Sequence, residues 1–229
     1  MEKFSKLISF GGEMTKIKIC GITKPEEAIY LKKNNVDLAG IVMFYDKSKR
    51  SISVDRATEI VNEFKRLNEE EKNINSTTIK TVAVMVSPTI EQMKLAEGCG
   101  FDFMQIHGEL TDEMINISGI PLLKAFNVSD MENYDYYCSF DKIKGFVFDA
   151  GEPGSGKVFD WDMLKTLERY EDKLFILAGG LSATNVKNAI NTVNPDGVDV
   201  SSAVEICKEK PDKDVAKIDE FVMCVREAN

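Results

Sequence analysis

The sequence predicts an α/β protein folded as a single (β/α)8 barrel, the TIM-barrel architecture, and three observations point there. Short β-branched or apolar runs alternate with amphipathic stretches of helical length along the whole 229-residue chain. Eight such runs are each followed by a helical segment, the count of a closed parallel barrel, whereas an open doubly wound sheet usually has about five or six strands. No linker-like composition divides the chain, so the reading is an extension over 1–14 and one barrel over 15–229.

Taken in order, residues 1–14 contain no apolar core long enough for a secretory signal, and Met14 just before the first strand is itself a candidate start. This opening stretch reads as a flexible extension. The expected strands are "IKI" (17–19), "LAGIVMF" (38–44), "TIKTVAVMV" (78–86), "DFMQI" (102–106), "PLLKAF" (121–126), "KGFVFDA" (144–150), "LFILA" (174–178) and "DGVDVS" (196–201). Helices are expected from near Pro25, Val54, Pro88, Thr111, Ser129, Asp160, Ala183 and after Lys213. Pro25 and Pro88 suit a first helical turn, where a missing N–H does no harm. The charged, Asn-rich interval 66–80 reads as a solvated loop.

Bulk properties exclude several roles. A net charge of −9 disfavours a nucleic-acid partner, and no run approaches the ~18 apolar residues of a membrane span. The five cysteines are scattered without metal spacing, which suits free thiols in a reducing cytoplasm. One histidine, His107, leaves no multi-imidazole metal site within a chain. Oligomeric state is open between monomer and homodimer.

Barrel geometry then gives the polar residues at strand ends a meaning. Active sites of this fold lie at the C-terminal ends of the strands, and residues two apart share a face. Lys18 and Cys20 share a face, as do Gln105 and His107, and Asp199 and Ser201; Lys124 and Asp149 stand near strand ends among apolar neighbours of opposite parity. All are expected to point into the barrel, where buried ionisable groups are costly unless paired or used. Alone, Cys20 would read as a small buried hydrophobe. The small-residue loops "LAGGLSATNV" (177–186) and "VDVSSAVE" (198–205) follow the seventh and eighth strands, where this fold commonly binds phosphate on exposed N–H groups; ordinary tight turns are the plainer reading. "GEPGSGKV" (151–158) imitates a P-loop, but Val158 stands where Ser or Thr must hold magnesium. It reads instead as a glycine-rich loop over the site.

Together "KICGIT", "YDKSKRSIS", "MQIHGE", "FVFDA", "GSGKVFDW", "LAGGL" and "GVDVSSAVE" resemble the phosphoribosylanthranilate isomerases of tryptophan biosynthesis, in order and over roughly residues 16 to 225. The resemblance implies a (β/α)8 enzyme without metal or organic cofactor, acting on a phosphorylated small molecule by an Amadori rearrangement. By motif it implies Cys20 as general base, Asp149 as general acid, and Arg50 against the anthranilate. It implies Gly179, Gly180, Ser201, Ser202 and Ala203 around the phosphate. Ala203 departs from the family's glycine in "DVSSG", and the 66–80 interval and the N-terminal extension are further departures.

The residue types suit that chemistry. A carboxyl raised by burial can protonate a furanose oxygen, and a thiolate can take the proton that the resulting iminium acidifies. A free thiol titrates near ~8.5 and needs help; Lys18 is the expected helper, or else a partner for Asp199. Arg50 reads as a ligand contact or a surface cation, and His107 as a supporting group. The rivals are a metal-dependent pentose-phosphate epimerase, which needs several histidines, and a non-catalytic or drifted sugar-phosphate-binding barrel, which needs neither Cys20 nor Asp149.

Overall fold

The computed structural model describes residues 14–70, 77–149 and 161–228. The extension before Met14, the middle of the 66–80 interval and the P-loop-like stretch 151–158 lie outside the described residues. Eight parallel strands close into a barrel in chain order, with the last hydrogen-bonded to the first. They are β1 (Lys16–Cys20), β2 (Leu38–Val42), β3 (Lys80–Val86), β4 (Phe103–His107), β5 (Leu122–Asn127), β6 (Ile143–Asp149), β7 (Leu174–Ala178) and β8 (Gly197–Val200).

Alternation along each strand separates two apolar layers. In β1, Ile17 and Ile19 are wholly buried against the surrounding helices. Leu38, Val82, Phe103, Leu123, Val147 and Ile176 instead fill the barrel interior, and Cys20 packs against that inner set. Full burial of each such side chain is worth roughly 1.5–3 kcal/mol, and truncating Ile19 to Ala would cost roughly 2–5 kcal/mol.

The outer layer comprises α1 (Glu27–Lys33), α2 (Val54–Glu70), α3 (Ile90–Cys99), α4 (Asp112–Ile117), α5 (Tyr134–Cys138), α6 (Val186–Val193) and α7 (Val215–Arg226). Both expected proline-led helices begin two residues after the proline, and Thr89 rather than Pro88 starts α3 with a reciprocal cap to Gln92. Residues 66–70, expected as loop, are helical. Their side chains are good helix formers, and Arg66 bridges Glu63 and Glu70 along the exposed face. The expected strand through Phe44 stops at Val42, and Phe44 itself takes φ 56°.

Two expected α-helices are largely replaced by 3-10 turns. One spans Val128–Asn133 before the short α5; the other spans Trp161–Thr166. In the second, Trp161 and Leu164 are both buried, and a repeat of three residues puts both on the core face. After β8 comes a 3-10 turn, Ser202–Val204, and then an unanticipated antiparallel hairpin, β9 (Glu205–Cys207) and β10 (Lys210–Lys213). Among the described residues no helix is long and apolar enough to cross a membrane.

Candidate active site

Register brings the key polar side chains together at the C-terminal end of the barrel. Lys18 lies opposite Asp199 in the β1–β8 ladder, and Cys20 opposite Gly40 in the β1–β2 ladder. Lys18 is wholly buried, and its Nζ donates to Asp199 Oδ2 at 2.8 Å and also hydrogen-bonds the Cys20 thiol. The pairing with Asp199, one of the two readings of Lys18, is thus present in the fold.

Electrostatics at this pair favours a charged lysine and a protonated thiol. Burial alone would depress Lys18, but Asp199 and Cys20 outweigh it and raise its pKa above the ordinary lysine value. Burial pushes the Cys20 thiol up; Lys18 and Lys213 pull it back only in part, and Asp199 adds to the rise. The Lys18 cation thus opposes the rise without bringing the thiol below its ordinary pKa.

Above this pair lies a cavity of about 300 Å³. Cys20, Arg50, Gln105, His107, Asp149, Gly179, Gly180, Asp199, Ser201 and Ser202 line it, so ten of the expected residues meet in one place. A larger hollow of about 650 Å³, around Arg169 and Asp196, gathers none of them. Gly179 and Gly180 follow β7 at φ 86° and 68°, where a side chain would be strained. Ser201 Oγ donates to the Cys20 carbonyl at 2.9 Å, fastening the end of β8 to the end of β1. His107 Nε2 meets Gln105 Nε2 at 2.8 Å, and burial, with the Lys18 and Lys124 cations, lowers its pKa to about 4. It is a neutral imidazole at physiological pH.

Two expected placements differ. Lys124 does not enter the barrel: Leu123 and Ala125 belong to the inner layer, so Lys124 shares the outward parity of Phe126. Its Nζ donates to the Gly108 and Ala125 carbonyls and sits 5.4 Å from the Tyr137 ring centre. Ala203 is not on the wall of this cavity but on that of an adjoining hollow of about 560 Å³ shared with Arg50, Ser202 and Glu205; it lies on the 3-10 turn after β8 and packs against the outer apolar layer.

Three further residues shape the site. Gly40 is one, because a Cβ there would lie 2.9 Å from Cys20 Sγ and 3.0 Å from Lys18 Nζ. Glu205 is buried at the start of β9, paired with Arg50 Nε and with Lys49 Nζ at 3.0 Å. Lys213, buried on β10, donates to the Ser201 carbonyl at 3.1 Å. Glu205 was visible in "SSAVE" only as a letter, since its partners come from a distant loop. Gly40 carried no turn signal at all.

Fold and cavity define a (β/α)8-barrel enzyme whose polar side chains converge at the C-terminal end of the strands. The chain belongs to the N-(5′-phosphoribosyl)anthranilate isomerase family: the model described as N-(5'phosphoribosyl)anthranilate (PRA) isomerase matches residues 17–223. It is 36% identical over 219 residues to the N-(5'-phosphoribosyl)anthranilate isomerase of Thermoanaerobacter sp. (strain X514), covering 93% of this chain and 98% of that one. The phosphoribosyl anthranilate isomerase structure from Thermotoga maritima superposes with a TM-score of 0.74 at 31% identity, covering 93% of this chain and all (100%) of that one. A second isomerase structure, in complex with reduced 1-(o-carboxyphenylamino)-1-deoxyribulose 5-phosphate, gives a TM-score of 0.71 at 29% identity, with 93% and 100% covered.

Proposed function

We propose that this chain catalyses the Amadori rearrangement of N-(5-phosphoribosyl)anthranilate to 1-(2-carboxyphenylamino)-1-deoxyribulose 5-phosphate, an isomerisation in tryptophan biosynthesis. The observation that carries this reading is the placement of the Cys20 thiol and the Asp149 carboxyl on one cavity, from strands on different sides of the barrel. A phosphorylated sugar is the natural ligand for a cavity that also has the Gly179–Gly180 and Ser201–Ser202 loops on its wall.

Asp149 is the general acid. Its proton goes to the furanose oxygen as the C1′–O bond breaks, and the anilinic nitrogen's lone pair forms the iminium. Cys20, as thiolate, then takes the C2′ proton, and the electron pair left behind neutralises the iminium to give the aminoenol. Tautomerisation of that enol gives the ketone. The iminium brings positive charge beside a thiol that burial otherwise keeps protonated, so the thiolate is favoured at the step that needs it. Lys18, held charged by Asp199, supports the same thiolate.

Substrate orientation follows from the remaining groups. Arg50 meets the anthranilate carboxylate. Gln105 Oε1 and Asp199 Oδ1 are buried acceptors without a partner among the described residues, on the cavity that holds the sugar. They are suited to accept from its hydroxyls.

The test is direct: the fluorescence of N-(5-phosphoribosyl)anthranilate is followed with and without the purified protein. Decay accelerated in proportion to protein concentration is expected. Decay at the spontaneous rate would leave a sugar-phosphate binder without catalysis.

A further inference from the structure

Glu205 takes no part in the acid–base steps, yet it is only 2% exposed and gathers three cations. Arg50 Nε donates to its Oε1, Lys49 Nζ to its Oε2 at 3.0 Å, and Lys213 Nζ lies 3.7 Å from Oε1. Burial opposes its charge, but the hydrogen bonds from Arg50 and Lys49 outweigh burial and hold its pKa below the usual carboxylate value. Glu205 is therefore an anion throughout the neutral range.

Arg50 is constrained on two sides. Its stem crosses Gly21, where a Cβ would lie 2.5 Å from Arg50 Cδ, and its Nε is taken by Glu205. Among the described residues Nε is the guanidinium nitrogen with a protein partner, which leaves Nη1 and Nη2 for a ligand; the side chain lines the active-site cavity and the adjoining hollow of about 560 Å³. A planar guanidinium with its inner nitrogen fixed presents that outer pair as a fork, the geometry that matches a carboxylate. Lys213 approaches the same Oε1 that Arg50 holds, and it also donates to the Ser201 carbonyl, so Glu205 joins Arg50 to the end of β8.

We propose that Glu205 is a positioning residue that fixes Arg50 for the substrate's aromatic carboxylate, and so makes the site selective for a carboxylated arylamine sugar phosphate over the same compound without the carboxylate. The inference rests on the reading of Arg50 given above. Glu205→Gln is informative because an amide has one acceptor oxygen where the carboxylate has two. The amide has also lost the charge and turns an NH2 toward one of the two cations, so it no longer anchors Arg50 as the carboxylate does.

The experiment measures calorimetric affinity for two probes, reduced 1-(o-carboxyphenylamino)-1-deoxyribulose 5-phosphate and its phenylamino counterpart lacking the carboxyl. The wild type, Glu205→Gln, Arg50→Ala and the double variant are compared. Glu205→Gln should weaken the carboxylated probe roughly tenfold and leave the other within about twofold, the scale of a misplaced charge-assisted hydrogen bond. In turnover, KM should rise while kcat changes far less. In the Arg50→Ala background, Glu205→Gln should add nothing, because there is no guanidinium left to position. Equal weakening of both probes, or a full additional loss in the double variant, would show a purely structural role and overturn the proposal. If Arg50→Ala spares the carboxylated probe, the Arg50 reading itself falls. If circular dichroism shows Glu205→Gln unfolded, Glu205→Asp serves instead: it keeps the charge but withdraws it by one methylene, and must show the same selective loss.

Discussion

Lys18 and Asp199 form a buried ion pair inside the barrel, 2.8 Å apart, and the same ammonium hydrogen-bonds the Cys20 thiol. Adjacent positions in the β1–β8 ladder create this arrangement. Removing one partner leaves a buried charge without compensation, so Lys18→Met should destabilise the fold by roughly 3–5 kcal/mol. It should also move the titration of Cys20 to higher pH, because the lost cation lowered the thiol's pKa and the nearby Asp199 carboxylate raises it. Mass-resolved alkylation of Cys20 against pH measures this. A shift to lower pH, or none, would contradict the assignment.

Gly40 gives the next prediction. A methyl there meets Sγ of Cys20 at 2.9 Å and Nζ of Lys18 at 3.0 Å, so one or both must move. Gly40→Ala should cost roughly 1–3 kcal/mol of stability through overpacking. Its kcat should fall at least tenfold, the effect of a barrier increase of ~1.4 kcal/mol. Denaturant melts and steady-state kinetics check the two effects separately, and unimpaired turnover would mean the thiol need not sit where it does.

Ala203 behaves differently. Its methyl packs on the outer layer, and the residue is not on the wall of the cavity that Cys20 and Asp149 line. Ala203→Gly should therefore change substrate KM little and cost stability on the scale of the ~1 kcal/mol that separates Gly from Ala in a helix. A large gain in affinity for inorganic phosphate would contradict this placement and mark the phosphate loop as obstructed by the alanine.

His107 sets an acid limit. Its folded pKa, lowered to about 4, lies below the ordinary 6.5, so the unfolded chain takes up this proton first. The neutral ring's contribution is complete above ~6.5 and is lost as pH falls through the interval down to ~4, by about 3 kcal/mol at most. His107→Gln keeps a hydrogen-bonding side chain without the titration. Its stability should fall less steeply over that interval in urea titrations; parallel curves would remove His107 from the acid response.

The strand count and the inward parity of Lys18, Cys20 and Asp199 were legible because a period of two is a local property of sequence. Lys124 escaped the same logic. Its neighbours Leu123 and Ala125 are apolar too, and an apolar residue can face either the barrel interior or the helices. The helices after β5 and before β7 were misjudged in type, since a 3-10 turn with Trp161 and Leu164 on one face has the same composition as an α-helix. Gly40 and Glu205 act only through partners from other strands and loops, Cys20 and Lys18 for the one, Arg50 and Lys213 for the other. Such cross-chain relationships have no linear signature. "KICG" and "FVFDA" could be read because each marks the end of its own strand.

The central claim is that Cys20 and Asp149 are the base and acid of the rearrangement, and single-turnover kinetics of Cys20→Ser and Asp149→Asn test it most directly. Both variants should keep the circular dichroism of the wild type and bind reduced 1-(o-carboxyphenylamino)-1-deoxyribulose 5-phosphate. Both should lose turnover by at least the roughly 10²–10⁴-fold that positioned acid–base groups contribute. Substrate consumption at a near-wild-type rate in either variant, with binding intact, would contradict the account.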